Sequence, residues 1–202
     1  MQDAIMKKSE ATRLNILSKA FDLIYERGYK STSLDDILAT THVTKGAFYY
    51  HFKNKDQMGI AILEELIAPT FESTFLQPLR SDGDPVELIY DMMYEILINN
   101  PSLKVEYGCP AANFTQEMAP WNIDFTRTLN ELSERWKQGI VECLEKGKTK
   151  RLLKSDMQSE AVALFIMSGY WGVRNIGKLG NDKSAYLIYL QELKKYLAIL
   201  RK

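Results

Sequence analysis

The chain has little cysteine, little histidine and no net charge, and each shortage argues against a class of function. Its two cysteines, Cys109 and Cys143, share no CxxC spacing. That argues against a disulfide scaffold and a structural zinc site, and favours a reducing cytoplasm. The two histidines, His42 and His51, stand outside any metal-ligand pattern. There is no glycine-rich phosphate loop and no nucleophile elbow, and carboxylates such as Glu106 and Glu117 form no defensible catalytic pair. The chain therefore does not read as an enzyme, and no cofactor or metal is implied. Lys plus Arg balances Asp plus Glu at 26 each, so bulk charge offers a polyanion nothing. Residues 1–60 carry nine basic and seven acidic side chains and the remainder seventeen and nineteen, a difference too small to steer anything. Any contact with a polyanion must rest on local placement. Long apolar runs are missing too. The charge-free stretch between Glu160 and Arg174 falls short of the roughly 20 residues that cross a bilayer. Residues 1–10 mix acids with bases and lack an apolar core, so they do not read as a signal peptide.

Alternating strands are absent, and helical periodicity is present almost everywhere, which predicts an all-α fold of about nine helices. At 202 residues and 46 % hydrophobic content, the chain can bury a core as one domain or two closely packed ones. Ile16, Leu17, Ala20, Phe21 and Ile24 form the stripe of a first helix over 9–27, which Gly28 ends. Ser33 and Asp36 form a capping box for a short helix with Leu34, Ile37 and Leu38 inward. After Thr40-Thr41-His42 a second short helix covers 45–52, and Lys53-Asn54-Lys55 leads into a longer one. Asp84-Pro85 opens a helix to Asn99, and Cys109-Pro110 opens one ending near Pro120. Longer helices are expected over 122–146, from a Ser155-Asp156 cap to about Leu179, and over 184–201.

The informative stretch is Thr32 to Lys55. Two short helices across a tight turn allow the second to enter a major groove while the first crosses the backbone. The second helix is too short to stand alone and must pack through Val43, Ala47, Phe48 and Phe52. Thr44, Lys45, Gly46, Tyr49, Tyr50 and His51 are then left facing outward. Gly46 lets the backbone approach a duplex, Lys45 can reach a guanine edge or a phosphate, and tyrosine hydroxyls donate to phosphate oxygens. Lys55 and the Thr32-Ser33 pair stand at helix N-termini, where free N–H groups favour a phosphate.

Arg27-Gly28-Tyr29, Thr32-Ser33, Asp36-Ile37, the run from Val43 to Phe52 and Lys53-Asn54-Lys55 together resemble the signature of the TetR family over residues 9–60. The resemblance implies an N-terminal helix-turn-helix module on a helical body. Drawn as domains, these are residues 1–54 for DNA binding and 55–202 for ligand binding and dimerisation. It implies a homodimer through the last two long helices, a near-palindromic double-stranded operator, and repression relieved by a small effector. By matched position, DNA contacts would fall to Thr32, Ser33, Thr44, Lys45, Gly46, Tyr49, His51 and Lys55, with Tyr50 added from its outward register. Where the family has Ala-Gly in the turn, this chain has Thr41-His42, which predicts a strained or altered turn.

The body is rich in large soft side chains. Tyr90, Met93, Cys109, Phe114, Met118, Trp121, Trp136 and Trp171 are the candidates for an effector pocket, set against plain core packing. Ser168-Gly169 and Gly172 suggest a subunit interface. Cys109, at the start of a helix, raises the alternative of a repressor that senses oxidants or electrophiles. Activation in place of repression is equally compatible with the sequence.

Overall fold

The computed structural model describes residues 2–202, with side chains from Ser9 onward. It is 76 % helical in nine helices, with no strand among the described residues, which settles the all-α expectation. The helices are α1 (Gln2–Arg27), α2 (Leu34–Thr41), α3 (Lys45–His51), α4 (starting as Lys55–Ile62 and continuing to residue 80), α5 (Pro85–Tyr94, extended by the π-turn Glu95–Asn99), α6 (Pro110–Met118), α7 (Ile123–Thr149), α8 (Ser159–Gly180) and α9 (Ser184–Ile199). Within α4 two π-turns, Leu63–Ile67 and Glu72–Leu76, flank a single α-turn that contains Pro69. Proline cannot donate to the carbonyl four residues back, and the widened turn before it accommodates that loss.

The chain forms two compact units: Met1–Pro69 with Asn113–Leu129, and Thr70–Ala112 with Asn130–Lys202. The core of the first unit holds Ile16, Leu17, Ala20 and Ile24 from the α1 stripe, Ile37 from α2, Phe48 and Phe52 around α3, and Met58 and Ile62 from α4. The short helices are pinned by their caps. Ser33 Oγ accepts from Asp36 N at 3.1 Å while Asp36 Oδ2 accepts from Ser33 N at 2.9 Å, the expected box. The Ser33 hydroxyl, which also donates to Asp36 Oδ2, and then the Ser33 N–H hold the Asp36 carboxyl below its ordinary range. Thr44 caps α3 through Ala47 N at 3.1 Å, and Asn54 caps α4 through Gln57 N at 2.8 Å. His42 supplies the left-handed turn residue itself, at φ 55°, with its N–H on Leu38 O at 3.0 Å. The turn keeps its hydrogen bonding without glycine, at the steric cost of a Cβ in the left-handed region.

In the second unit Asp84 caps α5 through Val86 N at 2.9 Å, with Pro85 in the first turn. Phe75, Trp136 and Tyr170 meet edge to face, with centroids 5.1 to 5.6 Å apart, in the middle of its core. Arg174 is fully buried in α8, where its guanidinium donates to Leu103 O at 3.1 Å, Lys104 O at 2.9 Å and Gly108 O. It thereby fixes the loop before α6, which turns at Gly108 with φ 72°. Two expectations need correcting. The cap of α8 is not Ser155-Asp156: the helix starts at Ser159, whose hydroxyl bonds the Glu145 carboxylate. Gly169 is only half-exposed, because the Tyr189 ring covers it. A Cβ there would lie 2.5 Å from the Tyr189 ring of α9, so its smallness serves packing within the chain. Gly172, with nothing within 4 Å, lies on the open face.

Candidate nucleic-acid interface

The first unit presents α3 with one face held and the other free. Phe48 and Phe52 are buried at 0 % and 1 % exposure, and Val43 and Ala47 are half-buried beside them. Thr44, Lys45 and Gly46 are exposed, as are Tyr49 at 49 % and Tyr50 at 77 %. The face expected from register is therefore the face the fold leaves open. A methyl group placed on Gly46 would meet only the neighbouring Thr44 Oγ1, at 4.0 Å, so a surface can approach its backbone.

The C-terminal end of α3 is held by Arg13 of α1, a residue that hydrophobic periodicity does not mark. Its guanidinium lies 4.4 Å from the Phe52 ring centroid, donates to His51 O at 3.2 Å, and pairs with Glu65 of α4. A cation on a last-turn carbonyl also complements the helix dipole. Burial, with Arg13 second, lowers the His51 pKa below 6.5.

The remaining expected contacts differ in accessibility. Ser33 is exposed at the N-terminus of α2. Thr32 is fully buried, and its hydroxyl donates to Gly28 O at 2.8 Å. Lys55 is half-buried, its ammonium on Tyr29 O at 2.6 Å and 4.2 Å from the Tyr29 ring centroid. Burial lowers the Lys55 pKa, opposed by Asp56 and Glu117. In this arrangement Lys55 braces the corner after α1.

The large side chains expected to line one pocket are divided between the units. Phe114 and Met118 are buried in the first unit, where Phe114 stacks on Phe125 and packs against Tyr29. Trp121 is 76 % exposed, with Lys30 over its ring. Met93, Cys109 and Trp136 are buried in the core of the second unit, and Trp171 packs partly buried against it. Tyr90 lines an open groove between α5 and α9 with Tyr94 and Lys194. Cys109 is 6 % exposed, and burial pushes the Cys143 thiol up to about 11. Among the described residues no cluster of His, Cys, Asp or Glu could hold a metal ion, and no helix is long and apolar enough to cross a membrane.

Residues 16–62 match the family described as "Bacterial regulatory proteins, tetR family", and residues 86–192 match "Tetracyclin repressor-like, C-terminal domain". An uncharacterized HTH-type transcriptional regulator of Lactococcus lactis subsp. lactis is 31 % identical over 133 residues, 66 % of this chain and 68 % of that protein. The HTH-type transcriptional repressor DhaR of Mycobacterium sp. (strain GP1) is 27 % identical over 168 residues, 79 % of each chain. In fold, a TetR transcriptional regulator from Chloroflexus aurantiacus J-10-FL superposes with a TM-score of 0.86 at 21 % identity, covering 96 % of this chain and 98 % of that one. The first match spans the helix-turn-helix and the second most of the helical remainder of the chain, and the chain belongs to the TetR family of transcriptional regulators.

Proposed function

We propose that this chain is a sequence-specific DNA-binding repressor, acting as a homodimer and released from its operator by a small molecule bound in the second unit. The observation that carries the reading is the open face of α3: Thr44, Lys45, Gly46, Tyr49 and Tyr50 exposed over a buried Phe48 and Phe52. A core has no use for a lysine and two tyrosines at those positions. Repression, as opposed to activation, is supported by DhaR and by IcaR of Staphylococcus aureus (strain Newman), a negative transcriptional regulator 22 % identical over 190 residues. A dimer is supported by the outward face of α8 and α9, where Leu164, Phe165, Ile176, Leu179, Ile188 and Ile199 are all more than half exposed. An effector that offers a hydrogen-bond acceptor is supported by the buried Trp136 Nε1, which has no partner among the described residues.

The test is selection of bound fragments from genomic or random duplex DNA at two salt concentrations. Recovery of one near-palindromic site, with half-sites about 10 bp apart or somewhat more, is the expected result. Recovery of only salt-sensitive, sequence-independent DNA would overturn sequence-specific repression. On the selected duplex, Lys45→Ala and Tyr49→Ala should each weaken binding about tenfold with the dimer intact. If both stay within twofold of wild type, α3 does not dock by this face.

His51 adds a pH signature. Its lowered folded pKa means that stability is full above pH 6.5 and falls as pH drops from 6.5 towards the lowered value. A nearby phosphate acts oppositely and favours the imidazolium. If His51 meets the backbone, duplex binding takes up a proton and tightens between pH 7.5 and 5.5 relative to His51→Gln. A constant ratio between the two proteins over that range would remove His51 from the interface.

A further inference from the structure

The corner between α1 and α2 is held from far along the chain. Glu117, in the last turn of α6, accepts the Tyr29 amide N–H through Oε1 at 3.0 Å and the Lys30 amide N–H through Oε2 at 2.7 Å. Gly28 lies directly beneath, at φ +91°, where a Cβ would stand 3.0 Å from Glu117 Oε1. The rest of Tyr29 is equally occupied. Its carbonyl takes Lys55, and its hydroxyl donates to Asp56 Oδ1 at 2.6 Å. The second oxygen of Asp56 accepts from Asn122 Nδ2 at 3.1 Å. Tyr29 is 3 % exposed, and burial, reinforced by Asp56, raises its phenol pKa far above the ordinary value.

We infer that Glu117 is a positioning residue for DNA recognition. Its two oxygens fix successive peptide groups of the Tyr29–Lys30 corner, and so set the direction in which the chain enters α2 and presents α2 and α3 to a duplex. This rests on the DNA-binding reading above. A carboxylate that bridges two adjacent N–H groups defines the orientation of a peptide as well as its place. Without it, the two N–H groups lose their acceptor, and the peptides between Gly28 and Lys30 can tilt about the Tyr29 anchor points that Lys55 and Asp56 still hold. The helices keep their own hydrophobic contacts through Ile16, Ile37 and Phe48, so the fold survives while the angle is lost.

The experiment compares wild type with Glu117→Ala and Glu117→Gln on the duplex selected by the wild-type protein. Affinity is read at several salt concentrations, with amide hydrogen exchange and thermal midpoint measured on the same samples. Glutamine keeps one acceptor oxygen and should recover part of the function. Glu117→Ala should lose about tenfold or more in affinity and Glu117→Gln only a few-fold. The Tyr29 and Lys30 amides should exchange faster in the same order. The salt slope should stay unchanged, because the number of neutralised phosphates is the same. Wild-type affinity in Glu117→Ala with those amides exchanging fast would overturn the inference. So would equal losses in both variants that follow a drop in thermal midpoint. A wild-type protein that selects no duplex overturns the underlying DNA reading and this inference with it, whereas selection followed by unaffected variants overturns this inference alone.

Discussion

Ile176→Glu should convert the protein to a monomer and lower its affinity for the selected duplex about 100-fold or more. Ile176 stands 59 % exposed on α8, in the row that also carries Leu164, Phe165 and Leu179. Gly172 on the same face has nothing within 4 Å, so a second helix can come close there. A carboxylate placed in that row faces either burial without a partner or separation of the subunits, and separation costs less. Two half-sites read by one dimer gain from effective concentration, typically by factors of about 100 or more, and a monomer forfeits that gain. Sedimentation at micromolar concentration and duplex titration check both parts. A variant that remains dimeric and binds within a few-fold of wild type would move the dimer interface to another surface. The Ile176 side chain lies outside the core of its own chain, so the thermal transition of the separated subunit should still be cooperative.

Arg174→Met should cost stability without touching either the DNA face or the outward face of α8. The wild-type guanidinium is fully buried and serves carbonyls of Leu103, Lys104 and Gly108 at once. Methionine fills much of the volume but donates nothing; losing the donor to a buried acceptor such as Gly108 O costs about 1–3 kcal/mol, and the part-buried Leu103 and Lys104 carbonyls cost less because water can reach them. The loss should therefore reach about 2–3 kcal/mol, seen as a lowered urea midpoint at unchanged slope. Arg174→Lys should recover only part of it. An ammonium on a single stem cannot reproduce a planar fork that spans three acceptors. A midpoint in Arg174→Met equal to wild type would show that the loop before α6 does not depend on this residue.

Local patterns in the sequence foretold which side of α3 packs and which stays open. The register of Val43, Ala47, Phe48 and Phe52 predicts which side of α3 packs, and the capping residues Ser33 and Asp84 fall where the helices begin. These are relations between residues a few positions apart, which helical geometry fixes without knowledge of the fold. The partners of Lys55 and Thr32 were not legible, because each depends on backbone carbonyls at Tyr29 and Gly28 whose direction is set by a left-handed turn. Arg13 reads as an ordinary surface charge until α3 is placed beside it. Trp121 shows the opposite failure. Its size suggested a pocket, but the chain turns between α6 and α7 at that point and leaves the indole in solvent. Gly169 and Gly172 are three residues apart in one helix, yet one is closed by Tyr189 and the other open. No property of the residue type separates them.

The reach of Glu117 to Tyr29 and Lys30 limits how freely this regulator can be recombined. Grafting its helix-turn-helix onto a foreign body would transfer the reading head and leave behind the carboxylate that aims it. A successful graft would need an acidic side chain at the same turn of the new sixth helix, together with a glycine at the end of the first. In a diverging lineage the same pair would drift as one character, since a methyl group at Gly28 and the Glu117 carboxylate contend for the same space.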